Sequence, residues 1–156
     1  MSVGSAVTGR STADVPASAT ARPVMLLTCN VPFGAAAVRV AVDAASEAGA
    51  ELYLCDAIPL GFSSYIDQMA RRFGEHDNRR EMDGLAREAR ARGVRTTQMV
   101  FHNPRPIAAA LEVCRDERIG LLVFGADRAR LSRLTYRRAM HRLRRDASCL
   151  LWIAPS

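Results

Sequence analysis

Lysine is absent from these 156 residues: the fixed positive charge is carried by 22 arginines, set against 16 acidic residues. Together with the abundance of alanine, this is a mark of GC-rich coding, so the placement of the arginines is more informative than their number. The four cysteines stand at 29, 55, 114 and 149 with no CxxC pair and no Cys/His cluster at zinc spacing, which excludes a structural zinc site. They read as small buried hydrophobes, reduced, in a cytoplasmic protein; Cys29 and Cys55 fall where neighbouring strand ends could bring them face to face. No apolar run approaches a membrane span, and the N-terminus lacks the continuous apolar core of a secretory signal, so no membrane partner is expected. No short repeat is present, which argues against a solenoid. His76, His102 and His141 are far apart and match no metal or triad motif, so no catalytic centre and no enzymatic activity are expected. Only His102, at the carboxyl end of a strand, is placed where a binding site could use it.

What is present suits one globular domain, with 49% hydrophobic and 24% charged residues and enough length to bury a core. Residues 1–22 are mostly Ser, Thr, Ala, Gly and Val, with two arginines and one aspartate and no sustained period, and read as a flexible tail; a transit peptide has a similar composition. From residue 23 to 156 the pattern is that of a folded domain. Short apolar runs at 24–29, 51–58, 121–124 and 149–154 predict buried strands, and the alternating 94–101 predicts a strand nearer an edge. Between them lie helical patterns. One covers 35–48, with Val38, Val42 and Ala45 on its apolar face and Gly49 as its stop. A second covers 64–92, with Met82, Leu85, Ala86 and Ala89 inward and Gly74 as a breaking point. A third starts near Pro106 and turns Ile107, Ala110, Leu111 and Cys114 inward. The last is the basic segment, with Leu134, Tyr136, Met140 and Leu143 inward. Strands alternating with helices predict an α/β three-layer sandwich around a parallel sheet. Asp56 reads as a turn cap, with a ribose contact as the alternative, and Asp127 as the ion-pair partner of a nearby arginine.

The charge is concentrated. Residues 127–146 hold eight arginines and two aspartates, a surplus equal to the +6 of the whole chain, so the remainder is balanced. The window follows Leu121–Phe124 and Gly125, a strand-then-turn pattern at the position where parallel sheets open into a ligand crevice.

Four landmarks carry a resemblance to the universal stress protein family: Glu-Ala-Gly-Ala-Glu-Leu-Tyr-Leu at 47–54; Ala-Arg-Gly-Val at 91–94; His-Asn-Pro-Arg-Pro-Ile-Ala-Ala-Ala-Leu at 102–111; and Leu-Leu-Val-Phe-Gly-Ala-Asp-Arg at 121–128 followed by Asp-Ala-Ser-Cys-Leu-Leu-Trp-Ile at 146–153. The resemblance implies a five-stranded sheet in the order 3-2-1-4-5 with a crevice above strands 1 and 4. ATP-binding members place Gly-x-x-Gly, nine residues, then Gly and a hydroxyl residue around the phosphates, where bare backbone N–H groups approach them. Here Gly125 matches the first position, Arg128 stands at the second, and the third falls on or beside Arg138, followed by Ala139. The aspartate that usually ends the first strand is replaced by Cys29–Asn30.

The resemblance therefore implies a degenerate, non-catalytic, dimeric stress-response or regulatory protein that does not hold ATP in the family manner, with no cofactor expected. It also implies a homodimer through the C-terminal strand from Cys149 to Ala154, whose apolar edge would otherwise be an aggregation hazard, or a protein partner. A first alternative is a nucleotide, ATP included, or another anion held by Arg128, Arg130 and Arg138, since guanidinium makes bidentate contacts at any physiological pH. Its candidate contacts are Cys29, Asn30, Ala57, Gly125, Ala126, Arg128 and Arg138. A second alternative is nucleic acid on the basic helix 128–145, disfavoured because Tyr136 is the one aromatic in the window.

Overall fold

Parallel strands need long crossovers, and here each crossover is a helix that covers the face its own strands leave apolar. The computed structural model describes residues 21–59 and 65–155, without the side chains of 65–77. The elements are β1 (Val24–Thr28), α1 (Ala35–Ala48), β2 (Leu52–Pro59), α2 (Tyr65–Ala91), β3 (Thr96–Asn103), α3 (Pro106–Asp116), β4 (Leu121–Phe124), a 3-10 turn at Arg128–Arg130, α4 (Arg133–Asp146) and β5 (Leu150–Ile153). All five strands run parallel in the order β3-β2-β1-β4-β5. The expected tail, apart from its last two residues, and the loop through Gly61 lie outside the described residues.

Alternate residues of each central strand feed two separate cores. Met25, Leu27, Tyr53, Cys55, Leu122 and Phe124 face α3 and α4, meeting Leu111, Cys114, Met140 and Leu143. Val24, Leu26, Leu52, Leu54 and Val123 face α1 and α2, meeting Ala37, Ala41, Ala45, Met82 and Ala86. The small side chains of α1 let that helix lie close to the sheet, and Gly49 ends it in the left-handed conformation (φ 64°). Each fully buried leucine contributes about 1.5–3 kcal/mol of hydrophobic stabilisation. The sheet's register, Val24 opposite both Leu52 and Leu121, therefore concentrates the apolar area at its centre.

Three expectations are corrected by the structure. α2 runs through Gly74 without a break. β3 lies two residues further along than the alternation suggests. Leu134 is 57% exposed rather than inward, because α4 starts at Arg133 and Leu134 sits in its uncovered first turn. Ala139, Met140 and Leu143 make the inner face instead, with Tyr136 half-buried beside them.

Candidate functional site

The strand order reverses direction at β1 and β4, because β2 and β3 lie on one side of β1 while β4 and β5 lie on the other. A crevice belongs between the loops that leave these two strands. In this chain that crevice is closed by main-chain bonds. Gly34 N–H donates to Gly125 O (2.8 Å), Asp127 N–H donates to Pro32 O (2.8 Å), and Phe33 and Ala126 form an isolated antiparallel bridge. Gly125 makes the closure possible: a Cβ there would stand 2.6 Å from Leu26 Cδ1 and 3.4 Å from Phe33 Cδ1.

A buried polar cluster holds the β1 loop from below. Asn30 takes the left-handed conformation (φ 59°), which suits a short amide side chain. Its N–H donates to Asp56 Oδ1 (2.7 Å), and Asn78 Nδ2 donates to Asp56 Oδ2 (2.8 Å) and Val31 O (3.2 Å). Thr28 Oγ1 donates to the same Val31 oxygen (2.6 Å). Asp56 is wholly buried. It is therefore an anchor that joins β2, the β1 loop and α2, rather than the turn cap or ribose contact expected of it. Asn30 Oδ1 is buried with no partner among the described residues. On α2, Glu81 Oε1 accepts the Phe33 N–H (3.1 Å). Burial pushes the Glu81 carboxyl up, the Phe33 bond opposes this, and the charges of Asp127 and Asp56 add to the rise. The α1/α2 side of the sheet end is thus acidic. Asp127 makes no ion pair among the described residues; its Oδ1 accepts from Ala129 N (3.1 Å) and caps the 3-10 turn.

The α3/α4 side is the opposite. An open cleft of about 360 Å3 lies between the first turn of α3, the first half of α4 and the ends of β1 and β2. Cys29, Pro59, Ile107, Thr135 and Ala139 line it, and Arg105, Arg138 and Arg142 bring positive charge to it. Arg105, the N-cap of α3, makes no side-chain capping bond, so the first-turn N–H groups add to the positive potential. Arg142 reaches Asp146 at only 3.9 Å. Burial, and then the charge of Asp56, pushes the Cys29 thiol up to about 12, so Cys29 is an inert wall.

The structure separates the residues singled out in the sequence. Cys29 and Arg138 share the cleft, Asn30, Gly125 and Ala126 belong to the closed loop junction, and Ala57 is buried within β2. Arg128 turns outward, its guanidinium carbon 4.8 Å from the Tyr136 ring centroid, and lines a different groove of about 600 Å3 with Arg137, His141 and Arg144. Arg130 lies exposed in the 3-10 turn. Arg105 and Arg142 were missed by the motif. Arg105 had a legible signal, its place at the carboxyl end of a parallel strand; Arg142 had only its one-turn spacing from Arg138.

Arg138, on or beside the third motif position that the resemblance implies, stands in a helical backbone setting. Ser132 caps α4, accepting from Thr135 N through Oγ (3.2 Å), so Arg138 and Ala139 lie in the second turn of the helix. Their N–H groups are committed to intrahelical bonds and cannot cradle a phosphate.

The model of the family described as "Universal stress protein family" matches residues 21–155. A comparison with curated proteins found no match. Among solved structures, a universal stress family protein from Burkholderia pseudomallei superposes with a TM-score of 0.62 at 20% identity, covering 85% of this chain and 96% of that one. The universal stress protein of Archaeoglobus fulgidus in complex with dAMP has a TM-score of 0.60 at 10% identity, covering 85% and 96%. An Arabidopsis thaliana family protein with AMP bound has a TM-score of 0.54 at 13% identity, covering 84% and 90%. These likenesses agree with the order and direction of the strands.

Proposed function

The chain belongs to the universal stress protein family, and from that membership we propose that it is a non-catalytic stress-response or regulatory protein that does not hold ATP by a main-chain cradle. The observation that carries this reading is the start of α4 at Arg133, which leaves no free N–H at Arg138 and Ala139. The loop junction supports it, since the Gly125 oxygen and the Asp127 N–H are bonded to the β1 loop and the carboxylates of Asp127, Glu81 and Asp56 lie near one another. Calorimetric titration with Mg-ATP is expected to give a dissociation constant no tighter than about 1 mM, a binding free energy of about −4 kcal/mol. Incubation with ATP is expected to release no ADP. Micromolar ATP affinity that survives Arg138→Ala would overturn the reading.

A second reading has its own observation, the convergence of Arg105, Arg138 and Arg142 on the cleft. Three guanidinium groups with Asp146 as a distant counter-charge favour a bound anion. Relatives of the same fold were solved with dAMP and AMP. In this reading a nucleoside monophosphate occupies the cleft, its phosphate held by side chains. AMP affinity is then expected to fall at least tenfold in Arg138→Ala, about 1.4 kcal/mol, and to be unchanged in Arg128→Ala. Equal loss in both variants would reduce the effect to general surface charge.

The assembly we propose is a homodimer through β5. This strand is an edge of the sheet, Leu150 is 73% exposed, and Leu151, Trp152 and Ile153 are only half covered. An apolar edge with unpaired main-chain groups is a template for another strand. Light scattering at micromolar concentration is expected to give twice the chain mass. Leu150→Glu is expected to give the single-chain mass with an unchanged circular dichroism spectrum, because Leu150 contributes little to the core. A monomeric wild type would remove the dimer from the account.

A further inference from the structure

α4 carries its charge in a way that helix stability alone does not favour. Outside residues 127–146 arginines and acidic residues are equal in number, whereas Arg133–Asp146 holds six arginines and a single acid at its end. The helix dipole favours Arg144 and Arg145 in the last turn but disfavours Arg133 in the first. Arg133 and Arg137, and again Arg138 and Arg142, are like charges one turn apart, which repel. Asp146 is occupied by Arg145 (3.0 and 3.1 Å), with Arg142 at 3.9 Å. Arg137, Arg138 and Arg144 form no ion pair among the described residues.

At about 100° per residue, Arg144, Arg137, His141, Arg145, Arg138 and Arg142 follow one another around α4 over an arc of about 160°. Ala139, Met140 and Leu143 take the opposite, buried side. The surface along the basic arc is hollowed in three places. Arg137, His141 and Arg144 line the groove of about 600 Å3 together with Arg128 and Ile153 at the end of β5. A second hollow of about 380 Å3 lies on the helix itself, between Arg137, Arg138, His141, Arg142 and Arg145. The third is the cleft of about 360 Å3, where Arg138 and Arg142 meet Arg105. Arg137 and His141 belong to both of the first two hollows, and Arg138 and Arg142 to both of the last two. The three therefore join into one basic track that crosses the helix from the end of β5 to the start of α3.

We propose that this track docks a linear inorganic polyphosphate chain. Guanidinium groups are donors only, and their forks match phosphate oxygens. In polyphosphate, neighbouring phosphates share one bridging oxygen, so charge follows charge as closely as the arginines do, and the chain has no other group that needs a partner. A nucleic-acid strand sets a sugar between its phosphates and brings bases that need stacking platforms. Tyr136 is the one aromatic residue lining the three hollows, and its ring is taken up by the Arg128 guanidinium at 4.8 Å and by Phe124, with ring centroids 6.0 Å apart. A rigid duplex can lie on the ridge of α4, but it cannot follow hollows on both sides of a helix about 10–12 Å across. A narrow, flexible polyanion can, and it offsets the repulsion between arginines one turn apart. Arg137 and Arg144 lie outside the cleft, so the proposal stands whether or not a nucleotide binds there.

The test uses the full chain and end-labelled inorganic polyphosphate, with binding read by fluorescence anisotropy at an ionic strength of about 150 mM. Micromolar affinity is expected, falling as salt rises because bound counterions are released. Arg137→Gln with Arg144→Gln is expected to weaken binding at least about tenfold and to lower the salt slope by about one for each arginine removed. Both side chains are exposed, so an unchanged circular dichroism spectrum is expected. Arg39→Gln with Arg87→Gln removes the same charge from α1 and α2, across the sheet, and is expected to bind within about twofold of wild type. Unlabelled competitors decide on wild-type protein alone where a variant fails to fold. Polyphosphate is expected to displace the probe, and orthophosphate at equal total phosphorus to leave it in place. Oligothymidylate and duplex DNA of equal charge are expected to compete at least about tenfold more weakly. Four results would overturn the proposal: no binding at this ionic strength, equal loss in the two double variants, displacement by orthophosphate as effective as by polyphosphate, or tighter binding of either DNA, which would make the track a nucleic-acid surface.

Discussion

Asp56→Ala is expected to lower the melting temperature by roughly 10 °C, the equivalent of about 3 kcal/mol for a domain of this size. The carboxylate accepts the Asn30 N–H at 2.7 Å and Asn78 Nδ2 at 2.8 Å, in a wholly buried position. Hydrogen bonds to a charged acceptor contribute about 1.5–3 kcal/mol each, and a buried donor left without one costs about 1–3 kcal/mol. Losing the carboxylate therefore leaves the Asn30 N–H exposed to that penalty, while Asn78 keeps its longer bond to Val31 O. The gain from no longer burying a charge offsets part of the loss. Asp56→Asn is expected to cost about half as much, since one amide oxygen replaces two carboxylate oxygens. Asp127→Ala is the matched control. Its half-buried carboxylate caps only the 3-10 turn, so a loss near 1 kcal/mol is expected. Thermal melts of the three variants by circular dichroism decide: an Asp56→Ala protein as stable as Asp127→Ala would show that the cluster does not anchor the β1 loop.

Gly125→Ala is expected to destabilise by about 2 kcal/mol, the usual scale for forcing a methyl group into a packed core. The added carbon would stand 2.6 Å from Leu26 Cδ1 and 3.3 Å from Ala37 Cβ. Leu26 is fully buried and the Ala37 methyl is fixed to α1, so neither can give way cheaply. The neighbouring Gly34 is the contrast. A Cβ there would meet only Gly125 O at 3.8 Å, an ordinary contact, and its φ of −74° suits any residue. Gly34→Ala is expected within about 0.5 kcal/mol of wild type. Urea melts compare the pair directly. Equal stability of both variants would mean that the loop junction opens freely, and a main-chain phosphate site between β1 and β4 would again be admissible.

Both results bear on how a glycine in a nucleotide-binding pattern should be read. The resemblance puts Gly125 at the first position of the family's phosphate motif, yet in this chain its missing side chain makes room for Leu26 and Phe33. The same bare backbone can serve a ligand or a neighbouring loop, and the motif does not say which. Arg128 and Arg138, which the same resemblance sets at or beside two later glycine positions, line different grooves. Arg128 follows Tyr136, because a guanidinium over an aromatic ring is held there by electrostatic attraction. Arg138 follows the register of α4, which places it with Arg142 beside the α3 terminus.

The order of elements and the parallel sheet were legible along the chain, because apolar runs, helical periodicity and glycine stops act within a few residues of one another; the likeness to the family rested on short landmark segments such as 102–111 and 121–128. Strands β1 and β4, the bounds of α1 and the stop at Gly49 were all legible in that way. Which polar residues act together emerged only with the folded chain. Asp56, Asn78 and Asn30 belong to three separate segments, and Asn78 on a helix reads like any solvated amide until the crossover lays it over β2. The cleft arginines come from a strand-to-helix loop and from α4. Hydrogen bonds and charge pairs act over a few ångströms in space, and composition carries no record of which distant residues folding will bring within that reach.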